Sequence, residues 1–427
     1  IVLQTQWGGE EWHAPMEQAL YDMTTGRLSR STLPMRGLTI SQFLDADEFV
    51  GYVHHDMKEK IVRGRLNQAV SELRADPFVT EKGVTLSSSG RFAAFIGEAF
   101  DAPPGIFVVD LKAIEASEAV TPIPGNVVGT EILVDMLEGV TVSRLDWKSP
   151  NGYRASGYLI EPREEILHAE KPLYVWIKGG PDMVYPEFNG FMASTMEFVA
   201  AGVPVFVPNT AGREGGSDDL LWSLRNNGCG TSSFKDVLSG VEYVQKVKGF
   251  GRNGKVGIAG FSFGGFVTAY VATRSNAFAS AYINDGVGCP FHPFELFGVA
   301  QTDIYELLAP LYGFSDPFSK RGLQQITKEA PTSRVGNVKT PVLMQYGNTG
   351  VIEWTGAQFY RGLKHFGVPS ELVIHPRTGH GVEEPQLRRL NAQYEFEWFA
   401  FWVLGEDVPR LREKFGDPEK VLRELRN

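Results

Sequence analysis

Short, almost wholly apolar runs at 173–177, 203–208, 255–259, 279–284, 341–346 and 371–375 are separated by stretches with helical spacing, among them 233–247 and 355–366. Apolar runs of about five residues read as strands covered on both faces. Their alternation with helices predicts a mainly parallel sheet with helices on either side. Just upstream, 141–147 and 153–160 read as a hairpin that turns at Pro150-Asn151-Gly152. In a sheet of this kind, the residues that handle a ligand belong on the loops at the carboxyl ends of the strands.

Before about residue 130 the pattern changes to short strand-like runs and turns with little helical period, and it repeats. Tyr21 and Phe107 sit in similar runs 86 residues apart, and half that interval, 43, falls on 61–66. The run 38–41 leading to 49–53 is echoed by 84–87 leading to 90–96. A period in the low forties with about four short strands per unit is that of propeller blades. About three blades do not close a ring, so a truncated propeller is expected here, with an unrelated antiparallel β domain as the alternative.

At 427 residues the chain exceeds one ordinary domain, and the change of pattern divides it into 1–130, 131–405 and a C-terminal tail at 406–427. With 43% hydrophobic and 22% charged residues, it has the composition of a soluble globular protein. A net charge of −10 without any basic run argues against a nucleic-acid partner. No apolar stretch is long enough for a membrane span and no charged-then-apolar leader is visible; the start at Ile1 rather than methionine reads as processing, an expression boundary or a fragment, with which a leader could have been lost. Two cysteines, Cys229 and Cys289, make neither a disulfide framework nor a metal-ligand spacing. The expectation is therefore a cytoplasmic protein without metal or cofactor, with a homo-oligomer left open.

The chemistry is concentrated in Gly260-Phe261-Ser262-Phe263-Gly264-Gly265, placed between the strand-like 255–259 and the helical 266–272. This is a nucleophile-elbow pattern. Glycines flank the serine because the strained turn leaves no room for side chains beside it, and the turn lifts the Ser262 hydroxyl above the sheet. Downstream, Arg377-Thr378-Gly379-His380-Gly381 follows the last strand-like run. A histidine there can take the serine proton during attack and return it to the leaving group. The order serine then histidine suits the fold, whereas His13, His54, His55, His168, His292, His365 and His375 read as surface or core residues.

With these motifs, the chain resembles the prolyl oligopeptidase family of serine peptidases, nearest its acylaminoacyl-peptidase and dipeptidyl-peptidase branches, over about residues 130–405. Lys178-Gly179-Gly180-Pro181 stands where the family commonly has His-Gly-Gly-Pro, and Asn209 followed by Gly212-Arg213-Glu214-Gly215-Gly216 matches its Asn-x-Arg-Gly-Ser-x-Gly loop in outline. Phe234-Lys235-Asp236-Val237 matches a helix opening, and 331–343 matches the lead into the strand before the acid. The resemblance implies an α/β-hydrolase domain whose oxyanion hole is formed by the Phe263 N–H and an N–H near Gly179 and Gly180. Such fixed donors are worth about 3–4 kcal/mol each in comparable sites. Lys178 reads either as a solvated loop residue or as a cation assisting the oxyanion. Glu10-Glu11 resembles the paired glutamates that bind a substrate amino terminus in the dipeptidyl branch, and 288–295 is a specificity-loop candidate.

The family usually reads His-Gly-x-x-Asp-x-x-Val after the penultimate strand. This chain reads Tyr346-Gly347-Asn348-Thr349-Gly350-Val351, about two residues short and without the aspartate. Loss of that carboxylate costs about four orders of magnitude in a comparable protease. Three readings remain open. Asp285, after 281–284, supplies the acid from a neighbouring strand; or Glu353 folds back, or Asn348 orients the imidazole as a neutral partner; or the scaffold serves another purpose. The leading expectation is a serine hydrolase cleaving peptide, amide or ester bonds through an acyl-enzyme on Ser262, with His380 as general base. The alternatives are a pathway enzyme doing cyclisation, elimination or acyl transfer, and a catalytically impaired binding protein.

Overall fold

The computed structural model describes residues 2–5, 17–30, 38–45, 47–55, 58–66, 68, 70–72, 80–99, 102–114, 120–122, 138–180, 195–213, 218–286, 319–349 and 353–426. Backbone packing divides the chain into two compact units, Ile1–Glu138 with two short later segments, and most of the chain from Gly139 onward.

The first unit is all antiparallel strand. Val2–Thr5, Glu17–Asp22 and Arg27–Arg30 form a three-stranded sheet. Leu38–Phe43, Glu48–His55, Lys58–Arg65 and Val70–Glu72 form a four-stranded meander, and Thr80–Leu86, Phe92–Ala99, Ala102–Asp110 and Val120–Pro122 form a second. Two successive four-stranded sheets with matching strand order are the blade-like repeat anticipated from the sequence. Val50, Ile61, Ala93, Phe95, Val109 and Leu111 pack into one apolar cluster, while Leu38, Phe49, Val53 and Val62 form another. On the strand Glu48–His55, Phe49 and Val50 are adjacent yet fall in different clusters, so the two faces of that sheet are each covered.

The second unit is built on eight strands: β1 (Thr141–Lys148), β2 (Arg154–Glu161), β3 (Leu173–Ile177), β4 (Val205–Asn209), β5 (Val256–Phe261), β6 (Ser280–Asn284), β7 (Val342–Gly347) and β8 (Ser370–His375). They lie in the order β1-β2-β4-β3-β5-β6-β7-β8. Pairing is antiparallel through β1, β2 and β4 and parallel from there to β8. This is the α/β-hydrolase sheet. Every residue of β3, β4 and β7 is buried, which is why their sequences run apolar without alternation.

The anticipated hairpin turn forms, with Gly152 at φ 105° and the Ser149 N–H donating to the Tyr153 carbonyl. Buried Asp236 ties this turn down, accepting from Ser149 Oγ, Tyr153 Oη, Asn151 Nδ2 and the Ala211 amide. Burial drives its pKa up to about 6 despite those four donors. Asp236 lies well inside helix α1 (Cys229–Val247) rather than at its opening. The helix starts earlier because Glu329 reaches across to accept from the Gly230 and Thr231 amides, replacing a local cap.

Helix α2 (Phe263–Ala272) follows β5 and is buried at every position. On the other face, Tyr174 of β3 stacks on Phe198 with centroids 3.7 Å apart and meets Phe399 of the helix Pro385–Phe399 edge-on at 5.3 Å. The Tyr174 hydroxyl donates to Glu395, whose carboxyl is held well above the ordinary range by burial. Residues 409–426 form two further helices, and Arg410 and Lys414 bind Glu371 at the start of β8 at 2.8 and 2.7 Å. Among the described residues no helix is long and apolar enough to cross a membrane.

Candidate active site

Register brings four loops to one edge of the sheet. Phe261 pairs with Asn284, Asn284 with Gln345, and Gly347 with His375, so β5 to β8 end side by side. Ser262 follows β5, Asp285 follows β6, Asn348 follows β7 and His380 lies on the loop after β8.

Ser262 adopts φ 55° and ψ −118°, a conformation that an L-residue keeps only under constraint from its surroundings. The glycines supply that constraint by allowing backbone to touch backbone. A Cβ on Gly264 would stand 1.9 Å from the Ile177 carbonyl oxygen at the end of β3, and one on Gly260 would stand 2.2 Å from the Gly264 carbonyl oxygen. The elbow is wedged between β5 and the end of β3, and the anticipated reason for glycine at these positions holds in atomic detail.

Ser262 Oγ lies 2.9 Å from His380 Nε2. Desolvation lowers the His380 pKa below 6.5, although the residue still presents surface to water. The imidazole is thus favoured in its neutral form, which can accept the serine proton. Among the described residues, no side chain bonds its other ring nitrogen.

Asp285 is 2% exposed and sits at φ 44°, a left-handed conformation that aspartate tolerates better than most residues. One carboxylate oxygen accepts from the Gly381 amide at 2.6 Å, and the other from the Gly347 amide at 3.3 Å. It therefore grips the residue after His380 and the end of β7 together. Asn348 accepts from the Arg377 amide through Oδ1 at 2.7 Å and donates its own amide to the His375 carbonyl. The Thr349 amide donates to Thr378 O at 3.0 Å. A Cβ on Gly347 would fall 2.3 Å from the carbonyl oxygens of Thr378 and Gly379, so the shortened loop lies directly against the histidine loop. Glu353 is the first residue of helix α3 (Glu353–His365).

Phe263 opens α2, where first-turn amides have no acceptor within the helix. A Cβ on Gly179 would come within 2.9 Å of Ser262 Cβ, and Gly180 adopts a left-handed φ of 58°. Of the oxyanion candidates, Gly179 thus lies against Ser262. Lys178 is half-buried with a buried Nζ, unlike a solvated loop side chain. Glu10, Glu11, the stretch 288–295 and Cys289 lie outside the described residues; Cys229 is buried. Among the described residues, no group of His, Cys, Asp and Glu could hold a metal ion.

Sequence reasoning passed over Phe261. Its ring stacks on the His380 imidazole, centroids 4.9 Å apart and planes 29° from parallel. One aromatic residue between a glycine and a serine gives no signal of this by itself, because the contact joins residues 119 positions apart in the chain.

The chain is similar to known proteins in sequence and in fold. Acylamino-acid-releasing enzyme 1 of Oryza sativa is 31% identical over 227 residues, 51% of this chain and 28% of that one. Dipeptidyl-peptidase 5 of Porphyromonas gingivalis is 23% identical over 312 residues, 71% of this chain and 43% of that one. This chain thus spans less than half the length of either relative. The Pyrococcus horikoshii acylaminoacyl peptidase structure has the same fold, with a TM-score of 0.78 at 16% identity over 99% of this chain and 64% of that one. Residues 189–405, half the chain, match the model of the prolyl oligopeptidase family, and the chain belongs to that family.

Proposed function

We propose that this protein is a serine peptidase that cleaves short peptides, including amino-terminally blocked ones, through an acyl-enzyme on Ser262. The observation that carries this reading is the 2.9 Å contact between Ser262 Oγ and His380 Nε2 on a strained elbow. The named relatives from rice and Porphyromonas are acylamino-acid-releasing and dipeptidyl peptidases, which supports peptides as the substrate class.

In this mechanism Ser262 Oγ attacks the scissile carbonyl while His380 Nε2 takes the hydroxyl proton. The carbonyl oxygen becomes an alkoxide facing the Phe263 amide and an amide of the Gly179–Gly180 turn. Fixed donors at that point need no reorganisation as charge develops. Collapse expels the amine, which leaves with the proton from His380. Water, deprotonated by the same nitrogen, then releases the acyl group and restores the hydroxyl. Asp285 acts as the acid of the site by fixing the Gly381 amide and placing a negative charge beside the histidine loop. Asn348 and Glu353 have other places in this scheme, Asn348 as a brace of the loop and Glu353 at the start of a helix. The catalytic domain of this reading is 131–405, with a propeller-like domain at 1–130 and a helical tail at 406–427.

The test is hydrolysis of an N-acetylated aminoacyl p-nitroanilide with mass spectrometry of the quenched enzyme. A burst of nitroaniline and an acetyl-aminoacyl adduct on Ser262 are expected, and both vanish in Ser262→Ala. Turnover that persists in Ser262→Ala would overturn the reading.

A further inference from the structure

Phe261 touches all three parts of the site at once. It is the residue before Ser262, its ring stacks on His380, and its edge meets the oxyanion turn. A Cβ on Gly179 would lie 3.0 Å from Phe261 Cδ1, and one on Gly381 would lie 3.6 Å from Phe261 Cζ. The ring therefore fills the space between Gly179 on one side and the His380–Gly381 peptide on the other. A side chain at Gly179 would press on the ring, whereas one at Gly381 would meet it at ordinary contact distance.

The need for such a wedge follows from the rest of the site. The loop after β7 lacks a carboxylate at the family's usual place, and Asp285 bonds a backbone amide of the histidine loop rather than the imidazole. Those contacts fix the loop's backbone. They leave rotation of the His380 ring about its own bonds to be set by Ser262 and by whatever lies against its face. Only Phe261 lies there among the described aromatic residues.

We infer that Phe261 is a positioning residue for catalysis, holding the face of the His380 imidazole and setting its distance from the Gly179–Gly180 turn. The inference rests on the serine-peptidase reading above. Its chemistry is that of an offset aromatic stack, which restrains tilt without competing for either ring nitrogen. A second consequence is exclusion of water from the covered face, which favours the neutral base. The charged and titratable groups around the ring act differently. Asp285 is bound to the Gly381 amide, Arg377 is paired with Glu384 at 2.9 Å at the far end of the loop, and Lys178 precedes the oxyanion turn.

The experiment compares the full chain with Phe261→Ala, Phe261→Leu and Phe261→Tyr, reading kcat, KM and the pH profile of kcat/KM on the acetylated p-nitroanilide. Alanine should lower kcat by about ten-fold with KM nearly unchanged, as loss of one aromatic contact used in the transition state implies. It should also move the acid limb of the profile to higher pH, because water then reaches the imidazole and its pKa rises. Leucine should keep the acid limb in place while losing part of kcat, since it excludes water without offering a flat face. Tyrosine should restore both. Thermal melts accompany each variant, and leucine carries the test if alanine does not fold. A folded alanine variant with wild-type kcat and acid limb would overturn the inference while leaving the peptidase reading intact. A wild-type enzyme with no Ser262 adduct would overturn that reading instead.

Discussion

The two halves of the site are held in different ways. The serine half is a matter of backbone: Ser262 is fixed by close contacts at Gly260 and Gly264 and by the start of a fully buried helix. The histidine half is assembled from remote groups, Asp285 on the Gly381 amide, Asn348 on the Arg377 amide and Phe261 on the ring, together with the loop's own bond from Thr378 Oγ1 to the Gly381 carbonyl. Such a division means that damage to the first half should be abrupt and damage to the second graded. Steric overlap between backbone atoms has no cheap relief, whereas several hydrogen bonds share the work of holding a loop.

The largest graded effect belongs to Asp285. Asp285→Ala leaves the Gly347 and Gly381 amides without their acceptor, and kcat/KM should fall roughly 10²- to 10⁴-fold, up to the cost of losing a triad carboxylate. Asp285→Asn keeps one acceptor but no charge and should fall between. Steady-state kinetics on the folded variants checks the order, and equal losses in both would assign the effect to charge alone.

Gly264→Ala tests the other half. Its Cβ would collide with the Ile177 carbonyl, so β3 and the elbow must separate, costing about 1–3 kcal/mol of stability as overpacking does. A shift of the nucleophile approaching 1 Å would cost about 10²-fold in rate. Denaturant titration and kcat together measure both, and a variant with unchanged stability and rate would mean that the elbow is not held from β3.

Asn348→Ala should be mildest. It removes one exposed side-chain acceptor from the Arg377 amide, while the Asn348 and Thr349 backbone bonds remain. About 1 kcal/mol of stability and less than about ten-fold in kcat are expected. A loss as great as that of Asp285→Ala would transfer the orienting role to Asn348.

The same division decided what could be read from the sequence. The elbow was legible because glycine spacing, strand and helix are all local, and His380 because it follows the last strand. The strand–helix alternation and the blade-like repeat were legible from period alone. The start of α1 was not, because its cap is Glu329, 99 residues away from Gly230. Nor was the contact of Phe261 with His380, or the use Asp285 makes of the Gly347 and Gly381 amides. Both depend on the register of β5 to β8, which places residues from four loops together without leaving any pattern in the chain.

The central claim is that Ser262 and His380 form one nucleophile–base pair. Labelling the full chain with a fluorophosphonate at neutral pH, followed by peptide mapping, tests it most directly. The account predicts a single adduct on Ser262, formed orders of magnitude more slowly in His380→Ala. No adduct on the folded protein, or labelling at the wild-type rate without the histidine, would contradict it.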